Sequence, residues 1–440
     1  MNTEIKPRLT LLDTLLIVIN LVIGVGIFRT PALIASEVQS AEMLFFCWVI
    51  GGLVALCGAL TFAEVGARLP KAGGLYKVVS VVYHPLMAFM LNWTYILTLA
   101  VSTAGVALIG AEYISPLIIP QNENSEIYNK LLVCGMILMC FGLNFIGIRS
   151  GASTQKVLSF LKMLLILVIC SGVFFIDRSV STQVGPQLSA AGSAFGTGLV
   201  AVFYTFGGYQ STLNFGADVQ NPVRNMPKAI IGGLLIIMVI YFALNATYIW
   251  VLGFDTLSSS HLVAADVART VWGDTGAKIT STAIFLSVLC YVNVYIMQTP
   301  RLLFAMAEDK NFPSVFKKVN TRTQVQEVAL IVFTLLILLS ILIIKSFETL
   351  ISYVIIIDSF ILISVAFAIF LLRNKQKDES YQGYKLPFYP WIPLIFILFV
   401  CYIIYSIFLS NPEIAFQGVG LVLAGAPIYF LINRFRSVRQ

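Results

Sequence analysis

About twelve runs of roughly 20 apolar residues follow one another along this chain, at 9–35, 42–68, 83–115, 127–148, 156–176, 192–216, 227–253, 276–305, 327–345, 349–373, 387–409 and 415–433. A helix rises about 1.5 Å per residue, so each run can cross a hydrocarbon layer about 30 Å thick. Lipid offers the backbone no hydrogen-bond partner, and a segment of this length satisfies its own polar groups only as a helix. The chain is 58% hydrophobic and 11% charged, against about 25% charged in soluble domains. The fold class predicted is an all-α polytopic membrane protein.

The connecting pieces carry the charge. With the N-terminus inside, the inner loops hold 21 of the 28 basic residues, Arg68, Lys77, Arg301 and Arg373 among them. The outer side keeps six (Arg29, Lys130, Arg178, Arg269, Lys278 and Lys345), and Lys162 sits within a span. That asymmetry predicts a multi-pass protein of the cytoplasmic membrane with both termini cytoplasmic. The net charge of +7 is therefore topological, and no nucleic-acid partner is expected. Seven cysteines, all in apolar stretches without Cys-x-x-Cys spacing, read as small buried hydrophobes, so neither a metal site nor a disulfide frame is predicted. His84 and His261 read as solvated or capping groups. The first apolar run is too long for a cleavable signal. No Walker-type loop, zinc spacing or nucleophile elbow occurs, so the chain does not read as an enzyme, and no cofactor is expected.

Two spans are interrupted. In the first, Gly24 and Gly26 flank Val25 near the middle, with Pro31 beyond. Either a neighbour packs closely there, or the helix breaks and restarts, exposing amide N–H groups that attract a carboxylate. In the sixth, Gly207 and Gly208 separate an apolar half from a polar one containing Gln210, Ser211, Thr212, Asn214 and Asp218. Adjacent glycines destabilise a helix and free its carbonyls. The first and sixth spans open two successive groups of five. Breaks at matching places in two halves point to an inverted-repeat carrier with its site at mid-membrane.

Gly24-Val-Gly-Ile-Phe28, Pro70-Lys-Ala-Gly-Gly-Leu-Tyr76, Phe206-Gly-Gly-Tyr209, Gln220-Asn-Pro222, Met226-Pro-Lys-Ala229 and Pro300-Arg-Leu-Leu-Phe-Ala-Met-Ala-Glu-Asp309 resemble the amino acid–polyamine–organocation (APC) superfamily. Within it the chain looks most like bacterial relatives of the L-type amino acid transporters, from about Leu9 to Arg434. The resemblance implies a LeuT-type fold with twelve transmembrane helices, unwound at midplane in helices 1 and 6. Residues 1–440 then form one transporter domain, with 9–176 and 192–373 as inverted repeats and 387–433 as two additional helices. It implies alternating access for amino acids.

By resemblance, the substrate carboxylate meets the amides of Val25, Gly26 and Ile27. The α-ammonium meets carbonyls of Ile23, Tyr204, Thr205 and Gly207. Both poles of a zwitterion are then matched by helix ends without a fixed side-chain charge, which at mid-depth costs about 2.5–3.5 kcal/mol or more. Tyr204 stands where the family places an aromatic lid, beside Phe203 and Phe206; simple packing is the other reading of that group. Val25 replaces the small polar centre usual in the family, leaving the carboxylate to backbone amides and narrowing the pocket toward small neutral amino acids.

Lys162 is read as lying about six residues, roughly 9 Å, from the inner end of span 5, within snorkelling reach of the interface. By resemblance, Phe160-Leu-Lys162-Met-Leu matches the place where this family sets a lysine in the position of a sodium ion, which implies sodium-independent transport. A buried lysine can also exchange protons, so proton coupling stands beside exchange. Ser287 and Asn293 are candidate partners for Lys162 or the pocket wall. Asp358, amid Ile355-Ile-Ile and Phe360-Ile-Leu-Ile, is a proton site, the partner of a cation such as Arg29, or a water-facing residue. Arg29 either draws anions outward or caps against Glu37 or Glu42. Glu64 and Arg68 form an inner ion pair or gate.

The expectation is a sodium-independent exchanger of small neutral L-amino acids, with a proton-coupled symporter as the alternative and a membrane sensor as a different class. Sensors usually carry long soluble extensions, and the short tails here argue against one. L-type relatives in animals join a partner through an extracellular cysteine; the loop Pro116 to Asn129 has none, so no disulfide-linked subunit is expected, and a monomer should suffice.

Overall fold

The computed structural model describes residues 9–38, 40–70, 73–118, 125–146, 148–176, 191–343, 347–375 and 381–437. Lys6, Arg8, Lys71, Arg178, Lys345, Lys377 and Arg439 of the charge count lie outside them, as does most of the loop between the third and fourth spans. The first span is two helices, α1 (Leu11–Val22) and α2 (Gly26–Val38), bent by 40° across Ile23–Val25. Thr10 and Asp13 close a capping box that starts α1: the Asp13 amide donates to the Thr10 hydroxyl, and the Thr10 amide to the Asp13 carboxylate. Then come α3 (Ala41–Arg68), the short α4 (Gly74–Val82), α5 (Pro85–Ile118), α6 (Ser125–Ile146) and α7 (Ile148–Ser171).

The stretch expected as the sixth span is also divided. Helix α8 (Ala191–Phe206) stops at Gly207–Gly208, and a 3-10 turn, Tyr209–Phe215, carries the polar half. Beyond it are α9 (Pro222–Leu252), the short α10 (Phe254–Ser259), α11 (Val263–Glu308, kinked at Gly273), α12 (Glu327–Ile343), α13 (Phe347–Lys375), α14 (Trp391–Ser410) and α15 (Pro412–Ser437). Pro222 sits in the first turn of α9, where a missing N–H costs nothing.

Nine of the described helices are long and apolar enough to cross a membrane, and the bent pair α1–α2 makes a tenth. The chain is a multi-pass membrane protein. Helix α8, at 16 residues, is shorter than the expected span 6 because the glycine pair ends it early. Helix α7 starts earlier than predicted: the polar stretch from Arg149 to Ser159 is helical, not a loop.

The packing joins the two divided stretches to each other and to their neighbours. Helix α2 packs on α8, α1 on α9, α3 on both α8 and α9, and α5 on α11 and α13. The ion pairs that join segments distant in sequence share one end of the bundle. There Arg301 meets Asp218 at 2.6 Å and Lys77 meets Asp309 at 2.5 Å. The Leu9 amide donates to the Asp218 carbonyl at 2.8 Å, so the chain just before α1 is clipped to the chain after the 3-10 turn. Each of these contacts joins segments distant in sequence.

Candidate functional site

Around the two interruptions lies a cavity with about 70 Å³ of water-accessible space. A single water needs about 10–15 Å³ on that measure, so the space holds roughly five waters or one small solute. Its wall takes Gly24, Val25 and Gly26 from the first break and Phe203 to Ser211 from the second. Tyr95, Ser102, Tyr291, Tyr295 and Asp358 close it from α5, α11 and α13. Of the residues predicted for the site, Val25, Gly26, Phe203, Tyr204, Thr205, Gly207 and Asp358 line this one space. Ile23, Ile27, Lys162, Ser287 and Asn293 stand outside its wall.

The positive pole is the start of α2. No backbone bond formed outside the helices among the described residues uses the amides of Val25, Gly26 or Ile27. The first N–H groups of a helix have no partner within it, so they remain available to an anion. Gly26 is set close against Thr205: a Cβ there would come within 3.0 Å of the threonine side chain. The Thr205 hydroxyl lies 2.8 Å from both the Ala201 carbonyl and the Thr30 hydroxyl, tying α8 to α2 across the break.

The negative pole is more occupied than the sequence suggested. The Ile23 carbonyl accepts from the Lys162 ammonium at 2.6 Å. The Tyr204 carbonyl accepts from the Gly207 amide at 3.0 Å. The Tyr241 hydroxyl lies 3.1 Å from the Thr205 carbonyl and 3.2 Å from that of Val22, and donates between them. Each carbonyl has two lone pairs, so each keeps one acceptor site beyond these bonds.

Lys162 does not snorkel. It is fully buried, and α7 has run fourteen residues from Ile148 when it arrives. One turn earlier Ser159 accepts from the Asn20 amide at 2.6 Å. Residues three apart share a helix face, so Ser159 and Lys162 of α7 together hold Asn20 and Ile23 at the end of α1. Neither of the proposed partners replaces this contact: the Asn293 side-chain oxygen accepts from Asn144 at 2.8 Å, and Ser287 is buried away from the cavity. Arg29 donates to the His261 carbonyl at 2.6 Å, which links α2 to the segment before α11. Glu64 does pair with Arg68, at 2.7 Å, but it also takes Arg373, at 2.6 Å. His84 caps α5, accepting the Leu86 amide at 3.2 Å.

The family model for amino acid permeases matches residues 9–432. The chain belongs to that family. Among curated proteins, the permease is 27% identical over 445 residues to the serine/threonine exchanger SteT of Bacillus subtilis strain 168, a match covering 99% of this chain and 100% of that one. It is 27% identical over 338 residues to the human cystine/glutamate transporter, covering 75% of this chain and 67% of the relative. It is 25% identical over 446 residues to human large neutral amino acids transporter small subunit 2, covering 98% and 81%. The permease is thus an APC-type amino acid transporter related to the L-type group, and not an enzyme.

The roles of two residues that hold the permease's breaks in place escaped the sequence reading. Tyr241 bridges the ends of both first half-helices from α9, and nothing in an apolar span flags one tyrosine as the partner of two distant carbonyls. Gln210 accepts the Gly208 amide at 2.9 Å and so secures the start of the 3-10 turn. Its polar character two residues after a glycine pair was the available signal.

Proposed function

We propose that the permease is a sodium-independent amino acid exchanger of the cytoplasmic membrane, working by alternating access on small L-amino acids. The observation that carries this is the pair of interrupted helices turned to one small cavity, with unpaired amides on one side and carbonyls on the other. A carboxylate bound at the start of α2 and an ammonium bound at the ends of α1 and α8 are each met by the helix end of opposite sign. The cavity's size supports a small cargo. The expectation that the cargo is also neutral rested on Val25 alone.

In this reading the chain makes twelve spans: α1–α2, α3, α5, α6, α7, α8 with its 3-10 turn, α9, α11, α12, α13, α14 and α15. Spans 1–5 (residues 9–176) and 6–10 (192–373) are inverted repeats, 387–433 add two helices, and spans 1 and 6 are unwound at midplane. The packing supports it, because contacts occur in exchangeable pairs: α1 on α9 with α8 on α3, α7 on α11 with α13 on α5, and α6 on α11 with α12 on α5. Swapping span n for span n + 5 turns each member of a pair into the other. Both termini are cytoplasmic, the ion-paired end faces the cytoplasm, and the permease works as a monomer without a disulfide-linked subunit. The side chains of Asn92, Asn214 and Gln298, buried and without a hydrogen-bond partner among the described residues, are assigned in this reading to the inner route, where the opposite state admits water.

Lys162 places a fixed cation behind the break, where like charge repels Na⁺ by about 4 kcal/mol at 4 Å in a partly screened site. Purified permease in vesicles preloaded with mixed amino acids is expected to take up labelled amino acid at least tenfold faster than empty vesicles. The rate should agree within twofold in sodium and potassium buffers. Lys162→Ala leaves the Ile23 carbonyl without its donor, at a cost of about 1–3 kcal/mol, and should slow exchange roughly 10- to 100-fold. Uptake that ignores internal amino acid but collapses with a protonophore would favour a proton symporter, for which Asp358 in the cavity wall is the supporting observation. A strict sodium requirement would overturn the exchanger reading.

A further inference from the structure

Asp358 is the only charged side chain among the residues lining the cavity. It comes from α13, opposite the two breaks. One of its carboxylate oxygens is buried and has no hydrogen-bond partner among the described residues. The cation that the sequence offered as a partner, Arg29, donates to the His261 carbonyl, and the buried Lys162 donates to the Ile23 carbonyl. Around the carboxylate the wall is aromatic, with Tyr95, Tyr204, Tyr291 and Tyr295. The rings of Tyr291 and Tyr295 lie 4.5 Å apart, and their neighbours occupy two of the hydroxyls: Ser211 lies 2.7 Å from Tyr95, and Ser102 3.3 Å from Tyr291.

A carboxylate in a tyrosine-lined cavity, without a counter-ion among the described residues, is suited to an ammonium group. The anion supplies Coulomb attraction, and aromatic rings nearby tolerate a cation better than an aliphatic wall does. The helix ends already match both α-groups of an amino acid, so a neutral cargo leaves the loaded cavity with one uncompensated negative charge. A cargo with a second positive charge leaves none. We propose that the permease selects small α-amino acids carrying a side-chain amine, with Asp358 as the residue that receives it. This rests on the amino acid exchange proposed above and replaces the neutral cargo expected from the sequence by a cationic one. The volume favours a short side chain, which points to 2,4-diaminobutyrate and ornithine before lysine.

The test is competition against counterflow of whichever labelled amino acid the wild-type permease exchanges fastest. Competitors are 2,4-diaminobutyrate and its uncharged isostere norvaline, ornithine and norleucine, and putrescine. In the wild type, the diamino acids are expected to compete at concentrations at least 30-fold below their neutral isosteres, and putrescine, which lacks a carboxylate, should compete poorly. Asp358→Asn keeps the side chain's size and removes its charge. It should erase that preference by raising the diamino acids' half-inhibition at least 30-fold, the range seen when one partner of a buried charge pair is neutralised. Should the variant not fold, the wild type still decides: 2,4-diaminobutyrate must raise its melting temperature more than norvaline does at equal concentration.

Preference for the neutral isosteres, or a preference for diamino acids untouched by Asp358→Asn, would overturn this proposal and leave amino acid exchange standing. Absence of counterflow for every amino acid would overturn the function itself. Putrescine competing as well as ornithine would overturn the carboxylate-binding role of α2.

Discussion

Gly208→Ala is expected to abolish exchange, with at least a 100-fold loss, and to lower the yield of monodisperse protein. Gly208 has φ +117°, a backbone conformation that residues with a Cβ rarely adopt. Forcing an L-residue there costs about 1–3 kcal/mol before any contact is considered. The contact makes it worse, because a Cβ at this position runs into the carbonyl oxygen of Leu21. That obstacle is α1 backbone, which has no rotamer to change. The two interrupted spans must therefore move apart, and the carbonyls gathered by Tyr241 separate with them.

Two controls isolate the effect. At Gly24 a Cβ meets only the ring of Tyr291, at 3.3 Å, and a ring can tilt, so Gly24→Ala should retain folded protein with reduced exchange. At Gly420, in α15, nothing lies within 4 Å, and Gly420→Ala should be silent. Counterflow in vesicles and size-exclusion profiles report both quantities. Wild-type exchange by Gly208→Ala would remove the close approach of the two breaks from the mechanism.

The class of the protein and the positions of both breaks were legible because each depends on local composition: apolar runs set span lengths, and glycine pairs weaken a helix where they stand. Lys162 was legible as an anomaly for the same reason, a single cation in an apolar run. What it touches was not. The Ile23 carbonyl is 139 residues away in sequence, and only the packing of α7 against α1 brings them together. Arg373, 309 residues from Glu64, was counted as one more inner charge. Asp358 was visible as an acid in an apolar span, but whether it met Arg29, water or the cavity depended on the rotation of α13 about its axis. Hydrophobicity all round a helix carries no information on that rotation. The start of α7 was misplaced for a related reason. Polar residues between Arg149 and Ser159 interrupt the hydropathy signal while still forming helix.

Glu64→Gln is expected to cost about 3–5 kcal/mol of stability, seen as a fall of roughly 5–10 °C in the melting temperature of the detergent-solubilised permease. The Glu64 side chain is fully buried, and its carboxylate is saturated. One oxygen accepts Arg68 Nε at 2.7 Å and Arg373 Nε at 3.0 Å. The other accepts an Arg373 terminal nitrogen at 2.6 Å and the Leu386 amide at 2.8 Å. Both guanidinium groups also stack on tyrosines of the segment before α14, Arg68 over Tyr381 at 4.1 Å and Arg373 over Tyr389 at 3.9 Å. One acid thus joins α3, α13 and the connection to α14. Glutamine keeps the shape but leaves one buried and one largely buried cation without an anion and turns an NH₂ toward donors. The penalty comes from that uncompensated charge rather than from the strength of the pairs, and this separates a strut from a gate. If the cluster only braces the fold, the triple change Glu64→Leu, Arg68→Met, Arg373→Met removes all three charges together and should recover most of the lost melting temperature and of the exchange rate. A triple variant that melts like the wild type yet exchanges at under a tenth of its rate would mean that the ion pairs open and close in each transport cycle.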